Sequence, residues 1–427
     1  MKLKILLALM ISSSLYAQKS LSVDELIKIA LQNSPDIKLS KLDVDISKEH
    51  IRMAKGYYLP YINLTAQGGK EWSKLKHQPR GDIDILSGSI GASQLIYDFG
   101  KTQNNISGYI QEELASKAYM YQKISDKILQ VKQAYYEILK AKEILKVQEK
   151  NLKLQQNQLY RAKKYLKAGI RTIIDVSDAK VRVQMAKQSL NNAKYNIEIL
   201  YTKLENILGI NLSKKRYDIY KPKLDITHIS TRLPKLHQSL INLEKFAYKH
   251  RHIIKSYSHL IQKAKAKVSA IDGEYYPDIS LQANHNISHI DKSMITSLPQ
   301  EQSHISINMK WDIFNGFQTD AKKQEAKLNL LKAHMQKQNI HLAIKEEVTN
   351  AYIALKQSFD NVKLNEKILK STQEKYNQAQ KRYINGLNDF IELQNAQQDY
   401  INSLSQLANS YYDYFIAMAL LDHAIGR

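Results

Sequence analysis

The chain has 427 residues, no cysteine, 14 glycines and 7 prolines. This composition excludes a disulfide framework and any cysteine-based zinc or iron–sulfur site, and it holds too little Gly and Pro for a loop-rich or disordered chain. The formal charge of +22 invites a nucleic-acid reading, which the first residues oppose.

Those residues, MKLKILLALMISSSLYA (1–17), read as a secretory signal peptide. Lys2 and Lys4 precede an apolar run from Ile5 to Ile11, which is too short to span a bilayer, and Ala17 ends the segment. Gln18 follows where a lipidated chain would carry cysteine. Export disfavours a nucleic-acid partner, and the positive charge reads as a lysine-rich solvated surface able to meet anionic headgroups or acidic partners. No later run reaches the roughly 18 apolar residues of a membrane helix.

The mature chain then describes one unit twice. A helix is expected at about 24–55, followed by short amphipathic strands at 62–67 and 83–97. A very long helix follows from about Thr102 to Ala168, roughly 100 Å at 1.5 Å per residue. Val131, Ile138, Leu145, Leu152, Leu159 and Leu166 recur along it every seven residues. Gly169 interrupts the pattern, and a returning helix carries Ala179, Val183, Ala186, Leu190, Ala193, Ile197, Leu200, Leu204 and Ile207 at alternating spacings of four and three. This is an antiparallel coiled-coil seam.

After a linker at 210–237 the unit recurs at a constant offset of 217 positions. Pro60 matches Pro277, Leu64 matches Leu281, Gly169 matches Gly386 and Gly209 matches Gly426. The expected organisation is a first repeat at 18–209, with its β-pair at 61–97 and its helical hairpin at 99–209. The second repeat, 238–427, has its β-pair at 278–314 and its hairpin at 316–426. Val348, Leu355, Val362, Leu369, Tyr376 and Tyr383 continue the seven-residue row. The strand at 303–314 alternates Ile305, Ile307, Met309, Trp311 and Ile313 against His304, Ser306, Asn308, Lys310 and Asp312. The connections at about 70–82 and 290–300 read as exposed loops.

Strands of about ten residues with one apolar and one polar face fit transmembrane β-structure, and equally a soluble half-buried sheet. Four strands cannot close a barrel, and an open edge cannot lie in lipid. Membrane insertion therefore requires several chains to pool strands. Two would give a barrel filled by side chains, and three a barrel of twelve strands with room for a lumen.

Both glycine turns should lie at the end of the hairpins farthest from the strands. Asp175 and Asp178, three residues apart, share a helix face there, and three chains would set six carboxylates around one opening. A local reading stands beside this one. Thr172 with Asp175, and Asp389 with Glu392, fit helix-capping boxes, and acids suit the first helical turn.

ALQNSPDI (30–37), YYLPYINL (57–64), QLIYDFGK (94–101), KWDIFNGF (310–317), AYYEIL (134–139) and AGIRTIIDVSDA (168–179) together resemble the TolC-like outer-membrane factors. The resemblance implies a mainly α fold with transmembrane β: long antiparallel coiled-coil helices plus four strands per chain. It implies a homotrimer whose 12-stranded β-barrel sits on an α-helical barrel. Such a duct serves efflux or type I secretion without catalytic activity or cofactor. Its partners would be outer-membrane lipid, a periplasmic adaptor and an inner-membrane RND or ABC-type transporter. Carried over by position, Asp175 and Asp178 form the constriction, and Arg171 is a latch toward Glu392. Tyr383 is a gate residue paired with Asp175, and Gly169, Ile170, Gly386 and Leu387 are the adaptor-docking tips. The rival reading is an envelope-spanning coiled-coil scaffold or adhesin, for which paired amphipathic strands would have no use.

Histidines gather between 228 and 304: His228, His237, His250, His252, His259, His285, His289 and His304. They read as solvated surface, with a structural metal site as the alternative. Tyr97, Trp311 and Phe314 suit an interfacial aromatic girdle or plain packing. No nucleophile–base pair, phosphate loop or HExxH motif occurs.

Overall fold

The computed structural model describes residues 20–73, 81–170, 172–210, 219, 229–234, 238–291, 300–387 and 389–427. The expected signal peptide, most of the linker, Arg171, His228 and His237 lie outside them. The elements follow the duplicated order. Helices α1 (Val23–Asn33) and α2 (Pro35–Gly56) lead to strands β1 (Tyr61–Ser73) and β2 (Gly81–Tyr97). Then come α3 (Lys101–Lys167), α4 (Ile173–Leu208) and the short α5 (Ile229–Arg232). The second copy has α6 (Leu240–His250), α7 (His252–Asp272), β3 (Asp278–Asp291), β4 (Glu301–Lys310), α8 (Gln318–Ile384) and α9 (Phe390–Ile425).

The chain forms two compact units. One comprises Leu39–Gln122 and Arg251–Ala343 and holds the sheet. The four strands pair antiparallel in the order β1-β2-β3-β4, so the two β-pairs join through β2 and β3. Alternation continues only to Lys310, where β4 ends. Trp311 and Ile313, expected on the apolar strand face, and Phe314, expected to close the strand, instead lie in the corner that leads into α8. Both sheet-to-helix corners place two consecutive residues at positive φ: Phe99 (52°) and Gly100 (84°), then Gly316 (65°) and Phe317 (64°). Glycine takes the first position in one copy and the second in the other. The remaining phenylalanine adopts a conformation disfavoured for a bulky side chain.

The other unit comprises the described parts of Met1–Lys38, Lys123–His250 and Ile344–Arg427. Its core gathers Leu26, Ala30, Val131, Ala134, Ile138, Leu204 and Leu208 from α1, α3 and α4. The single helix expected at 24–55 and its counterpart in the second copy are each broken at equivalent positions. Ser34 has ψ 123° and Arg251 also ψ 123°, both outside helical space. Pro35 explains the first break, because proline drives the preceding residue out of the α region. The second repeats it with no proline. Gly209, at φ 66°, ends α4 against this break, where a β-carbon would stand 2.9 Å from the Asn33 carbonyl oxygen.

The seven-residue rows fare differently in the two copies. Val348, Leu355, Val362, Leu369, Tyr376 and Tyr383 are all buried. In the first copy Val131 and Ile138 are buried, while Leu145, Leu152, Leu159 and Leu166 are half-buried. Toward the turn, α3 buries Gln155, Gln158 and Ala162 instead.

Candidate functional site

The two hairpin turns have one construction. Gly169 (φ 72°) and Gly386 (φ 74°) adopt the left-handed conformation that glycine takes without penalty. Ile170 N–H donates to the Tyr165 carbonyl (2.9 Å) and Gly169 N–H to that of Leu166 (3.0 Å). Leu387 repeats this to Arg382 (2.9 Å) and Gly386 to Tyr383 (3.2 Å). These are Schellman endings, which satisfy the last carbonyls of each long helix. They leave Ile170 65% and Leu387 67% exposed. The Tyr165 and Tyr383 rings meet at 6.1 Å, so the two turns lie side by side.

The acids divide between two tasks. Thr172 N–H donates to the Asp175 carboxylate at 3.3 Å, which is the capping role weighed above. Asp178 is exposed and no cap claims it. In the second copy the Asp389 carboxylate caps α9 through Glu392 N–H at 2.7 Å. Glu392 itself faces Arg382 at 3.7 Å, an arginine of its own repeat. Its expected partner Arg171 lies outside the described residues. Tyr383 is 2% exposed, with its ring against Tyr165 and Phe390. Nearby, burial pushes the Tyr376 phenol upward, partly opposed by Arg161.

The sheet presents two unlike faces. Ile62, Leu64, Leu86, Ile90, Leu281, Ile287, Ile305, Ile307 and Met309 share one face and are exposed. On β3 and β4 the apolar rows run from Ile279 to Ala283 and from Met309 to Ile305, and His285, Ser303 and Glu301 follow on the same face. The other face carries Asn63, Thr65, Ser89, Gln282, Asn284, Asn286, Gln302, Ser306 and Asn308 across its middle rows. Thr65 bonds Ser89 there, and Asn63 and Asn284 lean over Gly91 from both sides. Where the strands meet helices, Tyr97, Phe99 and Tyr276 form one ring cluster (4.8 and 4.9 Å), Trp311 donates to the Tyr275 carbonyl (3.0 Å), and Phe314 and Phe317 form a separate exposed pair (5.4 Å).

The histidines find separate partners. His250 contacts the Phe246 carbonyl (2.9 Å), His259 meets Gln111 (2.8 Å) and His285 meets Ser303 (2.7 Å). Among the described residues no group of three or more His, Asp or Glu could hold a metal. Sequence reasoning passed over His423, whose ring lies between Asp126 (2.8 Å) of α3 and Glu347 (3.1 Å) of α8. It also passed over the buried glutamines.

No helix among the described residues is long and apolar enough to cross a membrane. The chain thus combines an exposed apolar sheet face, an opposite amide-lined face and long paired helices ending in acid-bearing turns. The family model described as "Outer membrane efflux protein" matches residues 26–210 and 245–427. The chain therefore belongs to the outer membrane efflux protein family. It is 21% identical to the probable efflux pump outer membrane protein TtgC of Pseudomonas putida, over 95% of this chain and 83% of that protein. It is 22% identical to the outer membrane protein TolC of Vibrio cholerae, over 97% and 92%. A crystal structure of CusC superposes with TM-score 0.81 at 19% identity, over 97% of this chain and 95% of that one. These likenesses favour the channel over the scaffold reading.

Proposed function

We propose that three copies of this chain pool their sheets into a 12-stranded barrel in the outer membrane and form a passive exit duct for an efflux or type I secretion system. The observation that carries this reading is the four-stranded sheet, apolar and exposed on one face and ending at β1 and β4. Such edges cannot face hydrocarbon, so they pair with neighbouring copies. The amide and hydroxyl face lines the lumen, and the aromatic cluster lies at the interface.

The inner mouth of the duct is the pair of hairpin turns. Asp175 and Asp178 of three chains surround it and favour cations, with Asp178 contributing more because Asp175 also caps its helix. Arg171 holds the mouth shut through Glu392, in exchange with Arg382, and Tyr383 braces the closed arrangement. A periplasmic adaptor docks on Gly169, Ile170, Gly386 and Leu387, and a coupled RND or ABC-type transporter supplies the energy. The cargo is the transporter's choice.

Purified protein in planar bilayers tests this. Wild type should pass cation-selective current, and Asp175→Ala with Asp178→Ala should shift the reversal potential in a salt gradient toward zero. Arg171→Ser should raise resting conductance. Unchanged selectivity would assign both acids to capping, and absence of any current would remove the duct.

A further inference from the structure

The seam between α3 and α9 changes character along its length. The helices run antiparallel, and their contacts step in register: Lys132 to Asp422 (3.9 Å), Lys140 to Asp413 (2.9 Å) and Lys150 to the Tyr400 hydroxyl (2.6 Å). Tyr136 stacks on Phe415 at 5.4 Å within the same series. Continued toward the turns, this stagger brings Gln155 and Gln397, and then Gln158 and Gln394, to within two residues of one level. All four are buried, at 5%, 0%, 2% and 7% exposure. Gln155 Oε1, Gln158 Oε1, Gln394 Nε2 and both terminal atoms of Gln397 have no hydrogen-bond partner among the described residues.

Leu393 and Ala396 are fully buried on α9, as is Ala162 on α3, and on the same stretch of α3 Asn151 Oδ1 and Arg161 Nη1 are also buried with no hydrogen-bond partner among the described residues. Leucine would fill such positions at lower free energy, because buried amides left unpaired carry their full desolvation cost. A polar layer in a coiled-coil core lowers stability in return for control over arrangement. The repeat-equivalent positions show none of this. Thr372 bonds Ser403 (2.7 Å) and Lys375 pairs with Asp399 (2.8 Å) at the α8–α9 seam. The α3–α9 seam is thus tied by charge and stacking away from the turns, and weakened at one level just above them.

We propose that this glutamine layer is the level at which the tip of α3, with its turn, separates from α9, and that its four amides set how readily the mouth opens. The inference rests on reading the turns as the mouth. In the described arrangement the amides are penalised. Any movement that hydrates them or lets them pair relieves the penalty, so the layer lowers the cost of leaving this arrangement.

The test replaces both sides of the layer in the full-length protein: Gln155→Leu with Gln397→Leu, and Gln158→Leu with Gln394→Leu. Two readouts are taken on the same preparations, the thermal midpoint of the detergent-extracted protein and the frequency of open events in planar bilayers. The midpoint should rise by a few degrees while open events become about tenfold rarer. Gln397→Leu alone removes one unpaired amide and leaves those of α3 in place, and should give a smaller rise. A raised midpoint with unchanged opening would make the layer purely structural and overturn the inference, leaving the duct intact. A lowered midpoint would show that the amides are paired and overturn it from the other side. Wild-type protein that passes no current would instead remove the mouth itself, and this inference with it.

Discussion

Helices α4 and α9 are copies of one element, each of 36 residues, yet α4 buries seven side chains and α9 nineteen. The difference lies in what surrounds them. α9 is bonded on two sides, by Lys140 and Lys150 of α3 and by Thr372 and Lys375 of α8. α4 packs through Val176, Ala179, Val183, Ala186 and Leu204, and leaves Ile174, Val181, Met185, Tyr195 and Ile199 exposed. A duplicated sequence therefore does not produce duplicated environments. Of the two copies, α9 is covered on both sides within the chain, and α4 leaves a face that a neighbouring copy can cover.

Substitutions on the two helices should separate these roles. The largest effect belongs to Leu393→Ala, which empties a fully buried site on α9 and should cost about 2–5 kcal/mol. The denaturant midpoint of refolded protein reads this. Ile199→Ala, 66% exposed on α4 of the single chain, should stay within about 0.5 kcal/mol when the same measurement is made on monomeric protein. Val181→Glu with Ile199→Glu should leave the chain folded and shift the detergent-extracted species from trimer toward monomer. A retained trimer would place the covering face elsewhere.

Smaller effects sharpen the comparison at the turns. Gly169→Ala and Gly386→Ala each force a β-carbon into left-handed backbone with open space around it. Each should cost about 1 kcal/mol, seen as equal falls in thermal midpoint. Unequal falls would show that one turn is held by contacts the other lacks. The smallest effect concerns Asp36, whose carboxyl is held below its ordinary value of 3.8 by the hydrogen bond and charge of Lys127. That contribution is present above the ordinary value and is lost as pH falls through the lowered one. Asp36→Asn should flatten this part of the acid unfolding curve, modestly because the carboxylate is largely exposed.

Much of this architecture could be read from residue patterns because it follows from periodicity. Rows such as Val348 to Tyr383 announce a helix face, Ile305 to Met309 announces a strand, and Gly169 and Gly386 announce turns. Pro35 was an available signal for the break after α1, but Arg251 gave none, since tertiary packing alone bends the chain there. Asn315–Gly316 marked the corner after β4, yet the alternation through Ile313 masked it. The capping bond of Asp175 was readable from Thr172. Tyr383 as a gate rested on resemblance, because a tyrosine in a heptad row is indistinguishable from core. The buried glutamines were hidden for the opposite reason. A polar residue beside a leucine row reads as surface, and only the position of α9 reveals what covers it.

The central claim is that open sheets from three chains close into one wall, and the absence of cysteine makes it directly testable. Leu64→Cys on β1 and Ile305→Cys on β4 would be introduced together and treated in outer membranes with a bis-maleimide of about 8 Å span. Within one chain β1 and β4 lie three strand spacings apart, about 14 Å, beyond its reach. The expected result is a crosslinked ladder that stops at three chains. Single chains only, or a ladder running past three, would contradict the closed trimeric barrel.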